Sequence, residues 1–438
     1  RIAMGMKLFE LPYGKDVQKV MLPEERVLCD MHGVKAHVED DMAGAVREAM
    51  RHPIDSRPLA EIVEPGEKVA IVVSDITRLV HTDRFLPLVV EELNGAGVKD
   101  EDITIVIATG THRMHTHEEN VTVCGAEMVR RLKIHQHDCR NKDELKYLGE
   151  TSFGTPVWID SVVAEADKVI VTGAVSLHPM AGFGGGRKAI LPGVAGLESI
   201  NHNHVMALAD EEGAGCEPTV DVAIKEGNRF HEDMTEACAI LDPAFLLNVV
   251  FTPEGELHEV VAGNWKTAFD KGCADLLKIS GVKIPRKADV VIASMGGYPK
   301  DMNLYQGTKS YMNAVLAVKS GGIMIQTLEC PDIKEPAIYT DWLLKEDSLE
   351  MEKELRRDFS MAGFVAFKAR CIMEDVSCYL VTREENFEFV RKSGQIPAAS
   401  LEEAWELAQK ELAEKGKKDY DIIVMGHASS TLPVVEED

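Results

Sequence analysis

The chain has 438 residues and a formal net charge of −25, from 73 acidic against 48 basic side chains, with 45 % hydrophobic residues. This is globular composition, and the length suits about three ordinary domains or two large α/β ones. No apolar run approaches the roughly 18–20 residues of a membrane span, and so acidic a surface repels phosphate backbones and anionic lipid, which argues against nucleic-acid and membrane partners. An anionic substrate would have to be held by a few local cations.

Arg1-Ile2-Ala3-Met4-Gly5, ahead of Met6, reads as an added remnant and is set aside, and no charged-then-apolar signal pattern follows it. From there strands and helices alternate. Lys68–Ser74 and Ile103–Ala108 are short, β-branched and almost wholly apolar, as expected of strands buried on both faces. Between them Asp83–Asn94 predicts a helix stopped by Gly95-Ala96-Gly97. Further strands are predicted at Asp167–Thr172, Phe245–Phe251, Asp289–Ser294, Gly322–Thr327, Ser377–Thr382 and Tyr420–Met425, and helices at Trp265–Lys278, Gly307–Lys319 and Leu401–Glu414. The expectation is an α/β protein of two Rossmann-like domains with mostly parallel sheets and an active site in the cleft between them. The boundary falls near Ile279–Ala288, giving an N-terminal domain over 6–280 and a C-terminal domain over 285–438, with the tail from Asp419 able to pair with either.

Four of these strands run into polar or glycine-rich loops: Ser74–Arg78, Thr109–Arg113, Gly173–Lys188 and Met295–Tyr298. Open α/β sheets bind ligands outside the carboxyl ends of their strands, so these loops are the candidate site walls.

The nine cysteines are scattered with no C-x-x-C pair, which fits a reducing cytoplasm better than a disulfide scaffold or zinc ribbon. The 15 histidines are not: eight of them, at 112, 115, 117, 135, 137, 178, 202 and 204, fall within one window. Imidazole serves both proton transfer near neutral pH and binding of nickel, zinc or copper. His202 and His204 share a face on a strand and diverge on a helix. The histidines between 112 and 137 raise a second reading, a zinc hydrolase, although no H-E-x-x-H supports it and loop surroundings favour solvated or capping roles.

The densest segment is Ser176–His204. Gly182, Gly184, Gly185 and Gly186 would let the backbone approach a ligand, but the Walker A frame fails because Ala189 follows Lys188. Lys188 precedes the apolar turn Ala189-Ile190-Leu191-Pro192, and a lysine among apolar groups tends toward a lowered pKa and becomes a usable nucleophile or attachment point. In the second half, Tyr305-Gln306-Gly307-Thr308-Lys309 at a predicted helix start could, with Arg78, hold a carboxylate.

In order and spacing, Asp75-Ile76-Thr77-Arg78, Gly110-Thr111-His112, His178 with the glycine loop to Lys188, Asn203-His204 and Tyr305–Lys309 together resemble the motifs of the lactate racemase family, whose members use a nickel-pincer nucleotide. The resemblance implies a racemase or epimerase of a 2-hydroxy acid, lactate or a related 2-hydroxycarboxylate, working by proton-coupled hydride transfer through a 2-keto acid. It implies that Lys188 carries the pyridinium mononucleotide covalently and that His204 completes the nickel coordination. Asp75, Thr77, Gly184, Gly185 and Gly186 fall at cofactor-contacting positions, and Arg78, Tyr305, Gln306 and Lys309 at substrate-binding ones. His112 and His178 match the acid/base pair. Cofactor-synthesis enzymes are the implied protein partners.

Overall fold

The computed structural model describes residues 5–436, so of the set-aside start residues 1–4 lie outside the described chain. Contacts divide the chain into two compact units: Ala36–Asp210 with Cys216–Lys278, and the residues up to Lys35 with Glu211–Gly215 and everything from Ile279 on.

The unit containing Ala36–Asp210 is built on a mostly parallel sheet in the order Leu257–Gly263, Phe245–Phe251, Lys168–His178, Val69–Ser74, Ile103–Ala108, Lys133–Gln136. Only Leu257–Gly263 and a short strand, Gly182–Gly184, run antiparallel to their neighbours. Val69, Ala70, Ile71, Val72 and Val73 are all buried, the mark of a central parallel strand covered on both faces. The helix Thr82–Gly95 buries Phe85, Leu86, Val89, Val90 and Leu93 against the sheet. It stops as its glycines predict, since Gly97 takes φ +91° and the Val98 and Gly97 amides donate back to Leu93 and Asn94 at 3.0 Å each, a Schellman closure.

The second unit carries a six-stranded, wholly parallel sheet in the order Ile396–Ala398, Ser377–Val381, Val318–Thr327, Ala288–Ser294, Ile422–Met425, Val27–Met31. A hairpin, Met6–Tyr13 with Asp16–Pro23, adds Phe9, Leu11, Val20 and Leu22 to its core.

The contact division cuts the chain between Lys278 and Ile279 and groups the residues up to Lys35 with those that follow Ile279. Val27–Met31 pairs with Ile422–Met425, and the hairpin's apolar face has its core there. The tail stays with the same unit, because Ile422–Met425 lies beside Ala288–Ser294 and Leu432–Val435 pairs with Gly281–Ile284. Glu211–Gly215 joins it too: the buried Glu352 carboxylate accepts the Gly213 and Gly215 amides.

Two elements differ from expectation in ways that matter for the site. The strand predicted to end at Thr172 continues to His178 and turns back, pairing His178, Leu177 and Ser176 with Gly182, Phe183 and Gly184, so the supposed loop after Gly173 is largely a hairpin. The helix predicted at Gly307–Lys319 spans Leu304–Ala314, because the Asn303 side chain caps it by accepting from the Gln306 amide at 2.8 Å. Val318 and Lys319 instead open the next strand. Among the described residues no helix is long and apolar enough to cross a membrane.

Candidate active site

At the end of Val69–Ser74 the chain turns through Asp75-Ile76-Thr77-Arg78, closed by the Arg78 amide donating to the Asp75 carbonyl at 3.0 Å. The buried Asp75 carboxylate is fully engaged. Its Oδ1 accepts the Thr77 hydroxyl at 2.5 Å and the Thr77 amide at 3.1 Å, and its Oδ2 lies 2.7 Å from His112 Nδ1. Burial pushes the Asp75 carboxyl up, but hydrogen bonds from His112 and Thr77 outweigh it and hold it below the usual carboxylate range. An ionised carboxylate only accepts, so Nδ1 of His112 donates to it and Nε2 is the ring nitrogen left facing outward on an exposed ring.

His178 ends its strand as a buried residue, and its Nδ1 accepts two backbone amides, Met180 and Ala181, each at 3.1 Å. Burial holds it well below the usual histidine value, and the charges of Lys188, Arg78, Arg187 and His204 add to that. The ring is neutral.

Lys188 lies in the 3₁₀ turn Gly186–Ala189, its amide donating to the Gly185 carbonyl at 3.1 Å and its carbonyl accepting from Gly193 at 3.0 Å. Burial, then the Arg78 and Arg187 charges, hold its amine well below the usual lysine value. The glycines shape this turn rather than open it. A methyl on Gly185 (φ +89°) would stand 2.4 Å from the Ala174 carbonyl oxygen, and one on Gly186 (φ +54°) 2.5 Å from the Phe269 ring. The Gly186 amide is taken by the Asn248 side chain at 2.9 Å. One on Gly184 would stand 3.3 Å from the Arg78 guanidinium, which puts Arg78 against the same loop.

His202 and His204 sit on a helix, Leu197–His204, and diverge as a helix requires. His202 Nδ1 meets the Thr155 hydroxyl at 2.8 Å. His204 turns inward and stacks on Phe230 with centroids 5.6 Å apart, and burial, then the Lys188 charge, pushes it down to about 3. It is a neutral imidazole beside a lysine.

The histidines behind the zinc reading are otherwise engaged. His115 Nε2 accepts the Ile76 amide at 2.9 Å, and its Nδ1 meets Asn120 at 3.0 Å. His135 Nε2 and His137 Nδ1 both hold Asp160, at 2.8 and 2.9 Å, while His137 Nε2 lies 2.6 Å from the Ala195 carbonyl. His117 opens a helix as an exposed residue. Among the described residues no three His, Cys, Asp or Glu side chains are placed to hold a metal ion.

Tyr305, Gln306 and Lys309 lie in the other unit on Leu304–Ala314. Gln306 and Lys309 are three apart and exposed on one helix face, while the Tyr305 ring packs edge-on against Tyr339 at 5.2 Å.

Sequence reasoning missed Arg187 as a builder of this site. It is fully buried, with Nη1 on the Phe183 and Gly185 carbonyls at 2.7 and 3.0 Å, Nη2 on the Ala181 carbonyl at 2.8 Å, Nε on His231 at 3.1 Å and its guanidinium 4.7 Å from the Phe269 ring. Burial lowers it to about 10, which leaves it charged. An arginine directly after a glycine run was the available signal.

An imidazole–carboxylate pair, a lysine held well below its usual pKa by burial and two buried imidazoles, set around the ends of parallel strands, mark the candidate active site of an α/β enzyme. The comparisons agree. Residues 13–215 match the lactate racemase N-terminal domain and residues 284–432 the lactate racemase C-terminal domain. A lactate racemase of Thermoanaerobacterium thermosaccharolyticum is 31 % identical over 411 residues, 92 % of this chain and 95 % of that protein. One of Lactiplantibacillus plantarum is 30 % identical over 329 residues, 75 % of this chain and 76 % of that protein. The structure of the lactate racemase apoprotein from T. thermosaccharolyticum superposes with a TM-score of 0.84 at 30 % identity, covering 98 % of this chain and all of that one. A Thermotoga maritima protein shares the fold, with a TM-score of 0.60 at 17 % identity over 91 % of this chain and all of that one. The chain belongs to the lactate racemase family and is an isomerase of the racemase class.

Proposed function

We propose that the protein inverts the α-carbon of a 2-hydroxy acid, lactate or a close relative, with a nickel-pincer nucleotide joined to Lys188. The observation that carries this reading is Lys188 on the tight glycine-rich turn Gly186–Ala189, its amine pushed well below the usual lysine value by burial and by the Arg78 and Arg187 charges, with the buried imidazole of His204, stacked on Phe230, near enough to feel its charge. A lowered pKa favours the amine form that acyl attachment needs, and a neutral imidazole is the form that ligates nickel. The donor set therefore fits the group: Lys188 would tether it, His204 would ligate its metal, and the Asp75–Thr77 turn and Gly184, Gly185 and Gly186 would flank it.

When bound, such a cofactor supplies an electron-poor pyridinium ring able to accept hydride from the α-carbon and give it back. The chain's own residues do the rest. His112 Nε2 takes the substrate hydroxyl proton, and the Asp75 carboxylate at Nδ1 stabilises the imidazolium that forms. Arg78 supplies a cation for the substrate carboxylate, and Gln306, Lys309 and Tyr305 are assigned to the same substrate. His178, the other member of the acid/base pair, would give the oxygen a proton on the opposite side and take it back when the other enantiomer is the substrate.

The test is racemisation of each lactate enantiomer in D₂O by cofactor-loaded protein, followed by chiral chromatography and mass spectrometry. Inversion with the α-hydrogen retained is expected. Inversion with α-deuterium would overturn the hydride route, and no inversion of lactate or of a panel of larger 2-hydroxy acids would overturn the activity.

A further inference from the structure

The six-stranded sheet reverses its winding beside Ala288–Ser294. From there the chain runs outward through Val318–Thr327 and Ser377–Val381 to Ile396–Ala398, then crosses back to lay Ile422–Met425 on the other side. In open parallel sheets ligands bind in the crevice beyond the carboxyl ends of two such strands. The loops that follow this pair, 295–303 and 426–431, meet at Gly296. Gly296 takes φ +119°, and the place a Cβ would occupy has room for one carbon-sized atom. Ser429 Oγ, His427 Nδ1 and Lys300 Cδ ring that place at 3.8, 3.6 and 3.5 Å. Ser429 is only 5 % exposed, yet its hydroxyl has no hydrogen-bond partner among the described residues. We infer that this niche receives the far carboxylate of the substrate, so that the enzyme acts on a short 2-hydroxy dicarboxylate in preference to lactate.

A buried hydroxyl left unpaired costs stability, and one that faces a ligand position recovers that cost on binding. Its neighbours set the charge of the ligand. Lys300 is exposed and, among the described residues, makes no ion pair, in a chain whose net charge is −25. Its ammonium lies two bonds beyond Cδ on a flexible stem, and His427 Nδ1 can donate in its Nδ1–H form. A carboxylate accepts from all three groups, whereas the methyl group of lactate satisfies none. The niche is also tied to the helix assigned to the substrate. Residues 295–303 lead directly into Leu304–Ala314, which exposes Gln306 and Lys309. Asn313, one turn beyond Lys309 on the same side, donates to the Ala428 carbonyl at 2.7 Å. The Ala428 amide donates in turn to the Ser294 carbonyl at 2.8 Å, which pins the second loop over the strand end. With Gln306 and Lys309 taking the carboxylate beside the reacting carbon, the niche takes the other.

This rests on the racemase reading, and the test keeps the two apart. Loaded protein is assayed with each enantiomer of lactate, malate and 2-hydroxyglutarate, with and without succinate, which has two carboxylates but no hydroxyl to oxidise. One of the dicarboxylates should be inverted with kcat/KM roughly tenfold or more above that of lactate. Ser429→Ala and Lys300→Met should each lower that ratio about 10- to 100-fold, mainly through KM, and succinate should compete with the dicarboxylate. Lactate preferred over both dicarboxylates, or a ratio that neither variant moves, overturns the proposal and leaves the racemase reading standing. Succinate binding that Lys300→Met weakens but that does not compete makes the niche a separate carboxylate site and overturns its part in the substrate. Ser429→Ala should melt no lower than the native protein, because it removes an unpaired hydroxyl, and a clear fall would remove Ser429 from the niche. Inversion of no 2-hydroxy acid overturns the racemase reading, and with it the assignment to a substrate. Calorimetric titration of the unloaded protein with malate then judges the niche alone: binding weakened by both variants upholds it, and no binding overturns it.

Discussion

Asp75 Oδ2 and His112 Nδ1 stand 2.7 Å apart, with the carboxylate buried and the ring exposed. A buried anion thus orients a solvent-facing imidazole. Asp75→Asn keeps the shape but presents an amide, whose N–H can turn His112 to the wrong tautomer and costs the imidazolium its counter-charge. Turnover by loaded enzyme should fall roughly 10²- to 10⁴-fold with little change in KM. A loss confined to KM would assign Asp75 to substrate binding instead.

Asp160 is the second carboxylate built around histidines, and it governs stability. Burial raises its pKa, but His135 and His137 lower it further, so its ionised form is favoured in the folded state. That stability is present above about pH 4 and is lost as the pH falls through the depressed folded value. His135 is raised, first by its hydrogen bond to Asp160, so its contribution is complete below about pH 6.5 and is lost as the pH rises through the raised folded value. Melting temperature should therefore decline on both sides of a weakly acidic plateau, and His135→Gln should flatten the alkaline decline. Asp160→Asn should cost about 3–5 kcal/mol in urea unfolding, since it strips a buried carboxylate from two rings and from the Val162 amide it caps.

Gly186→Ala meets both a left-handed φ of +54° and the Phe269 ring 2.5 Å from its new methyl. The expected cost is about 1–3 kcal/mol, read as a lower melting temperature, together with poorer cofactor loading because Lys188 rides on the same turn. Unchanged melting and loading would contradict the close packing seen here.

Much of the fold was legible because burial on both faces leaves an unmistakable apolar run, as in Val69–Ser74, Ile103–Ala108 and Phe245–Phe251. The extension of Lys168–His178 was not, because Gly173, Ala174 and Ser176 are poor strand formers held there by pairing with Phe245–Phe251 and Gly182–Gly184. The residence of Val27–Met31 in the far sheet depends on a partner strand nearly 400 residues away at Ile422–Met425, which no local pattern encodes. In the site, Lys188 and His112 announced themselves by type and setting. The grip of His135 and His137 on Asp160 did not, since it joins residues 23 to 25 apart by side-chain direction alone. Nor did the tautomer of His178, which two backbone amides decide.

The central claim is that Lys188 carries the cofactor. Intact mass of the protein co-produced with the cofactor-building enzymes, beside Lys188→Ala and a known family racemase loaded in parallel, tests it most directly. A covalent adduct on the native chain, absent from Lys188→Ala, is the predicted result. An unmodified native chain beside a loaded control would contradict it.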